Sequence, residues 1–289
     1  MITWPQSLIR EIAARRCIFF LGSGVSATSC DAISKDRPKT WGQFLDDAVA
    51  LVPDEGDRAV IEKLIKAKNF LVALQGIRDK ADPGDFRNLL DRNFNNHRFE
   101  PSELHQLIHD LDSRIVITTN FDRLYENYCL GAGAAAAGAF KIVRYDSNAF
   151  CDELRSDTRL IIKAHGTIDE ISGMVFTRSE YHNMRRKFGH FYEILKALFL
   201  THTVVFIGCG LEDPDVMLLL EDVKILGSAE RPHYAITRTG EQVAPIVSDW
   251  KATYNVRVLE YGPEYADLIP NFEALLEAVE KERSLAIGT

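Results

Sequence analysis

Four stretches of this chain share one pattern, an apolar run that stops abruptly at small or polar residues. The first is Cys17-Ile18-Phe19-Phe20-Leu21 followed by Gly22-Ser23-Gly24-Val25-Ser26-Ala27. Glycines in that position let a backbone turn tightly and approach an anion, with N–H groups of a following helix directed at it. Gly22-x-Gly24-x-x-Ala27 has the G-x-G-x-x-A form of a dinucleotide-binding turn. The second stretch runs from Ile115 through Thr118-Thr119-Asn120-Phe121-Asp122, the third from Leu160 to His165-Gly166, and the fourth from Val204 to Gly208-Cys209-Gly210-Leu211-Glu212-Asp213. Asn120 can donate and accept at once, and His165 is of the type that exchanges protons near neutrality. Alone, Asn120 and Asp122 could be a capping pair and Asp213 before Pro214 a helix start. Converging on one edge of a sheet, the four make a binding and proton-transfer site.

Such convergence requires a parallel sheet. The five residues of the first run show no polar alternation, which suits a strand covered on both faces. A helix over 7–16 precedes it. Further strands are expected at 114–118, 141–145, 160–163, 174–177, 203–207, 233–237 and 256–260, with helices near 179–187, 190–201, 214–226, 240–251 and 264–283. The alternation predicts an α/β fold, a doubly wound, mostly parallel sheet with ligands in the crevice at the strands' carboxyl ends. Between the first two strands, Thr40 can cap a helix, and helical spacing continues to Leu111. That predicts one domain over 1–289 with an all-helical insertion at 40–111, a loop at 28–39 lying over the glycine turn. The Gly/Ala-rich stretch 131–140 reads as a connection.

Composition narrows the class. With 289 residues, 46% hydrophobic and 26% charged, the chain is a globular protein of ordinary make-up. No apolar run approaches the roughly 18 residues of a membrane span, and the N-terminus lacks a secretory pattern, so a cytoplasmic protein without membrane contact is expected. Five cysteines, odd in number and without a C-x-x-C pair, argue against a disulfide framework and against structural zinc. His105 and His109 are spaced i, i+4, but Gln106 stands where a metalloprotease helix has Glu; no metal is expected. Cys209, with no partnered base in the sequence, reads as a small turn residue. The net charge of −8 gives no reason to expect direct nucleic-acid binding, and Arg185-Arg186-Lys187 reads as a solvated helix face.

In this order, Gly22-Ser23-Gly24-Val25-Ser26, Thr118-Thr119-Asn120-Phe121-Asp122, His165-Gly166 and Gly208-Cys209-Gly210 resemble the motifs of the Rossmann-like Sir2 fold, G-A-G-x-S, T-Q-N-x-D, H-G and a late G-T-S turn. The closer likeness is to Sir2-like effectors of prokaryotic antiphage defence, which carry T-T-N-F-D and F-I-G-x-G-x-x-D. That resemblance implies NAD as substrate, hydrolysed to ADP-ribose and nicotinamide so as to deplete NAD in abortive infection. It implies Asn120 and His165 as catalytic residues. It implies a cofactor-binding set of Gly22, Ser23, Gly24, Val25, Ser26, Thr119, Asp122, Gly208, Cys209, Gly210 and Asp213, with Arg178 and Glu212 nearby. Departures from deacetylating sirtuins bear on the reaction: the paired C-x-x-C zinc module is missing, Thr119 replaces Gln, and of G-I-P-D-F-R only Pro38, Thr40 and Trp41 echo.

The chemistry is consistent with that implication. Cleaving the nicotinamide–ribose bond passes through an oxocarbenium-like state, but the leaving group departs neutral, so no carboxylic acid is needed to protonate it. Asn120 could orient a water or the ribose hydroxyls, His165 act as base toward either, and Asp122 bond the nicotinamide amide. Two other readings compete, an NAD-dependent protein deacylase and a non-catalytic module sensing NAD or ADP-ribose. A hydride-transfer enzyme does not fit, because Asp46 and Asp47 have the spacing of its acidic residue but sit in a helical pattern. With no sensor expected after the last helix, control falls to self-assembly as a homo-oligomer and to a separate partner; in the relatives this is a HerA-type ATPase or helicase, or a short Argonaute. The helical insertion is the expected docking surface.

Overall fold

The computed structural model describes residues 1–133, 140–211, 214–226 and 231–287. The strands are β1 (Cys17–Leu21), β2 (Cys30–Asp31), β3 (Phe99–Glu100), β4 (Ile115–Thr118), β5 (Phe140–Arg144), β6 (Arg159–Lys163), β7 (Thr203–Ile207), β8 (His233–Thr237) and β9 (Val256–Glu260). Seven of them form a single sheet in the order β5-β6-β4-β1-β7-β8-β9, every pairing parallel. All five residues of β1 are buried because both faces of the sheet are covered. Cys17, Phe19 and Leu21 enter one core while Ile18 and Phe20 enter the other, the two-residue alternation of a strand applied to two apolar layers.

The helices sort accordingly. α1 (Gln6–Ala13), the four-residue α2 (Ser23–Ser26), α3 (Trp41–Ala48), α4 (Glu55–Lys66), α5 (Phe70–Lys80), α6 (Pro83–Phe94), α7 (Glu103–Asp110) and α8 (Leu124–Gly133) lie before β5 in the chain. α9 (Phe150–Arg155), α10 (Arg178–Lys187), α11 (Gly189–Thr201), α12 (Pro214–Leu226), α13 (Ala244–Tyr254) and α14 (Leu268–Ile287) follow it. The first core takes Leu8 and Ile12 of α1, Leu104 and Ile108 of α7, and Phe272 and Leu275 of α14. The second takes Met184 of α10, Leu195 of α11, Leu220 of α12 and Trp250 of α13. None of the described helices is long and apolar enough to cross a membrane.

Helices α3 to α6 form a third core together with residues of the loops after β4 and β6. Phe44, Leu45, Leu74, Ile77, Phe86 and Leu90 pack there against Phe121, Ile168, Met174 and Phe176, which come from the loops after β4 and β6. Local signals start these helices: Thr40 N–H donates to the Gln43 side chain at 2.9 Å, and Asp82 Oδ1 accepts from Gly84 N–H at 2.8 Å with Pro83 in the first turn.

Three segments differ from the sequence expectation, one of them β3, which lies inside the insertion expected to be all-helical. Residues 174–177 are not a strand. Val175 N–H donates to the His165 carbonyl at 2.9 Å, so the segment folds back over the end of β6, and its apolar residues alternate between the helical core (Met174, Phe176) and the sheet core (Val175) without pairing in the sheet. Within 28–39, β2 pairs antiparallel with β3, Cys30 opposite Glu100 and Asp31 opposite Phe99. Two residues per strand are too few to leave a period in the sequence. Most of the Gly/Ala-rich stretch, 134–139, lies outside the described residues.

Candidate active site

Register places the four strand ends side by side. Leu21 of β1 is level with Thr118 of β4 and with Ile207 of β7, and Thr118 is level with Lys163 of β6. Gly22, Thr119, Ala164 and Gly208 therefore leave the sheet at one edge.

The two glycine turns hold each other. Gly22 N–H donates to the Ile207 carbonyl and Gly24 N–H to the Gly208 carbonyl, each at 3.0 Å. A Cβ on Gly22 would lie 2.4 Å from the Gly208 oxygen, and one on Gly24 would lie 2.7 Å from Gly208 Cα. The glycines are thus required by the contact between the turns. With both glycine N–H groups engaged, the first turn still offers an anion the N–H of Ser23, which has no acceptor inside its helix at that first position, and the serine hydroxyl. Cys209 Sγ lies 3.4 Å from the Phe20 carbonyl oxygen and fills the space beside Gly22.

Asn120 is fixed by three hydrogen bonds. Its backbone N–H donates to Thr118 Oγ1 at 3.0 Å, and its side-chain Nδ2 donates to the Gly22 carbonyl at 2.9 Å and to Ser26 Oγ at 3.0 Å. Because a carbonyl only accepts, the bond to Gly22 settles which end of the amide is nitrogen. Both amide protons are engaged, and Oδ1 remains as an acceptor. Ser26 Oγ in turn donates to Asp122 Oδ2 at 2.7 Å, while Asp122 Oδ1 accepts from Leu124 N–H at 3.0 Å at the start of α8. Both carboxylate oxygens of Asp122 thus serve to hold Ser26 and the helix start.

His165 is 6% exposed, and its Nδ1 lies 3.3 Å from the Tyr181 hydroxyl, with the two rings edge to face at 5.0 Å. Gly166 adopts a φ of +88°, and a Cβ there would meet the Gly173 carbonyl at 2.3 Å, so the His165-Gly166 pair requires glycine second. Beneath the loop, the fully buried Lys163 ammonium donates to the Asp122 carbonyl at 2.7 Å and pairs with Glu126 at 2.5 Å. Burial raises the Glu126 carboxyl above the usual carboxylate range, and the Lys163 charge opposes that rise.

These groups open onto a cavity of about 930 Å³. Of the candidate site residues, Gly22, Ser23, Ser26, Thr119, Asn120, Asp122, His165, Arg178, Gly208, Cys209 and Gly210 line it, and so does Arg185, expected on a solvated helix face. Gly24 and Val25 do not; the Val25 side chain is 1% exposed and packs in the sheet core. Asp213 and Glu212 lie outside the described residues. The opposite wall comes from the helical segment, where Trp41, Phe44, Asn69, Phe70, Asn93 and Phe94 face the strand ends. Sequence reasoning missed that wall, and it missed Tyr181 and Lys163. Pro38, Thr40 and Trp41, which also line the cavity, carried a signal as an echo of the sirtuin segment after the glycine turn.

Residues considered for metal have other roles. His105 is 1% exposed and accepts from Ser102 N–H through Nδ1 at 3.1 Å, and His109 Nδ1 meets the Asp110 carboxylate at 2.9 Å. Among the described residues, no group of three or more His, Cys, Asp or Glu side chains is placed to hold a metal ion.

Comparison with known proteins adds to this geometry. The model of the SIR2-like domain family matches residues 114–259, which contain Asn120, His165 and Gly208. An NAD(+) hydrolase ThsA of Enterococcus faecium is 31% identical over 168 residues, covering 55% of this chain and 33% of that protein. Defense-associated sirtuin 2 of Bacillus subtilis is 25% identical over 218 residues, covering 73% of this chain and 19% of the relative. A ThsA of Acinetobacter baumannii (strain 532279) is 24% identical over 158 residues, covering 54% and 32%. The chain spans a third or less of the length of these relatives.

Proposed function

The chain belongs to the SIR2-like domain family, and from that premise we propose that it hydrolyses NAD to ADP-ribose and nicotinamide as an effector of antiphage defence. The observation that carries the reading is Asn120, whose two amide protons are engaged by Gly22 and Ser26 so that Oδ1 is left to accept. An acceptor at that rim orients a donor, either an attacking water or a ribose hydroxyl. The names of the ThsA relatives support the same reaction.

Each residue then has a task. Ser23 N–H and hydroxyl bind the pyrophosphate, and the paired glycine turns keep the backbone thin enough for it to approach. The nicotinamide leaves neutral as its bond to ribose breaks, electrons of that bond passing to the ring nitrogen. Water adds to the ribose carbon, and its proton passes to His165 and then to solvent, giving ADP-ribose, nicotinamide and one proton. Positioned proton transfer of this kind is worth about 10²–10⁴ in rate. With Asp122 holding Ser26 and α8, its task is to brace Asn120; the partly exposed rings of Trp41 and Phe94 offer the surface for the nicotinamide ring.

A protein deacylase is the second reading, and product analysis separates it. Incubated with NAD alone, the purified chain releases free ADP-ribose and nicotinamide; a deacylase turns over only when an acyl-lysine peptide is added and yields an acylated ADP-ribose. Intact NAD in the presence of tight binding would instead indicate a sensor. We further propose that the helical segment is where copies of the chain or a separately encoded partner dock.

A further inference from the structure

Tyr181, whose hydroxyl meets His165, stands on a helix whose start is held by the helical segment. It sits in the first turn of α10, and that turn is built around Glu180. One carboxylate oxygen of Glu180 accepts from Phe176 N–H at 2.9 Å and from Thr177 N–H at 3.0 Å, fixing the start of the helix. The other oxygen pairs with the Arg78 guanidinium on α5. Beside it Ser179 Oγ donates to Gln75 Oε1, also on α5, at 2.9 Å, and Arg78 in turn lies over the Phe86 ring of α6, 5.9 Å from its centre. A single carboxylate therefore ties the beginning of α10 to two helices of the segment, and the next residue along is Tyr181.

We propose that Tyr181 is a positioning residue for His165, and that the Arg78–Glu180 ion pair makes this positioning depend on the seating of the helical segment. The inference rests on the hydrolase reading for its kinetic part. The tyrosine hydroxyl meets Nδ1 and so holds the ring plane, and in the tautomer where Nδ1–H donates to the hydroxyl oxygen, Nε2 is the nitrogen left to take a proton from substrate or water. At 3.3 Å the contact is at the long edge of a hydrogen bond, so a displacement of α10 by a few tenths of an ångström makes or breaks it. Tightening the segment against α10 shortens the contact and aligns the base; lifting it releases the base. Docking on α3 to α6 thus reaches the reacting atoms without any partner group entering the cavity.

The test uses the full chain with Tyr181→Phe, which keeps the ring, with Arg78→Met, which keeps the apolar stem over Phe86, and with both. Nicotinamide release gives kcat and KM, and long-range proton–nitrogen correlation spectra give the imidazole nitrogen shifts of His165, assigned by comparison with His165→Ala. We expect Tyr181→Phe to lower kcat about tenfold with KM within about twofold, and the His165 nitrogens to move from one tautomer to a mixture. Arg78→Met should lower kcat about threefold in the native background and have no effect in the Tyr181→Phe background. Unchanged nitrogen shifts in Tyr181→Phe would overturn the positioning role, and an equal effect of Arg78→Met in both backgrounds would overturn the coupling. If the native chain leaves NAD intact, the hydrolase reading fails while the nitrogen spectra still decide this one. Should Tyr181→Phe not fold, Arg78→Met decides through the same shifts, a tautomer mixture supporting the proposal and a native spectrum refuting it.

Discussion

Lys163 Nζ donates to the backbone carbonyl of Asp122 at 2.7 Å, from a side chain with no exposure at all. That bond joins the end of β6, two residues before His165, to the loop that carries Asn120. The ammonium is kept there by Glu126 on α8, so the two strand ends that supply the site are fastened from below by one buried ion pair.

Breaking the pair on one side should be costly. Lys163→Met leaves the Glu126 carboxyl buried without its cation, and we expect a loss of about 3–5 kcal/mol. Adding Glu126→Leu removes the orphaned charge and should restore most of the stability seen in urea melts. Turnover should stay low in the double variant, because the Asp122 carbonyl is still unanchored. Recovery of both together would show that the pair serves stability alone.

The contact between the glycine turns predicts a contrast. Gly22→Ala drives a methyl group into the Gly208 carbonyl, and backbone must move, at about 3 kcal/mol or more. Gly189 has nothing within 4 Å of its would-be Cβ, so Gly189→Ala should stay within about 0.5 kcal/mol of the native chain. Thermal melting of both variants, with ADP-ribose affinity by calorimetry, checks this. Equal melting temperatures would refute the close packing.

Stability should fall as pH falls from about 6.5 toward 4. His233 accepts from Val204 N–H in the sheet, and burial pushes its pKa down to about 4. The unfolded chain takes the proton near 6.5, so between the two values it binds more protons than the fold and is favoured as pH drops. The full window corresponds to on the order of 3 kcal/mol. His105, also lowered to about 4 by burial, acts in the same direction. His233→Asn keeps an acceptor near Nδ1 without the titration and should flatten the dependence. Urea midpoints at pH 5 and pH 7 for both proteins measure it; parallel slopes would contradict the assignment.

The parts legible in the sequence were those set by local pattern. Cys17 to Leu21 reads as a strand covered on both faces, and the small and polar residues after each apolar run read as an edge with chemistry. Relationships made by long-range register were not legible. Lys163 interrupts an apolar strand, and only the pairing of β6 with β4 brings it under Asp122 and beside Glu126. Tyr181 has the spacing of an ordinary core residue on its helix, and nothing local ties it to His165 sixteen residues earlier. The segment 174–177 has the composition of a strand but hydrogen-bonds back to His165, because its alternate residues serve two different cores. The bonds of Asp122 to Ser26 and to Leu124 N–H were not legible either, because they depend on how the first turn and the loop after β4 meet.

If Asn120 Oδ1 directs hydrolysis of NAD at this cavity, its removal must abolish turnover before it abolishes binding. The most direct measurement is chromatographic quantification of nicotinamide released from NAD by the native chain and by Asn120→Ala, each at several protein concentrations, with ADP-ribose affinity measured alongside. The native chain should release equimolar nicotinamide and ADP-ribose, and Asn120→Ala should lose about 100-fold in turnover with affinity preserved within a few-fold. Turnover in Asn120→Ala within twofold of native, or NAD left intact by a native chain that binds ADP-ribose, would contradict this.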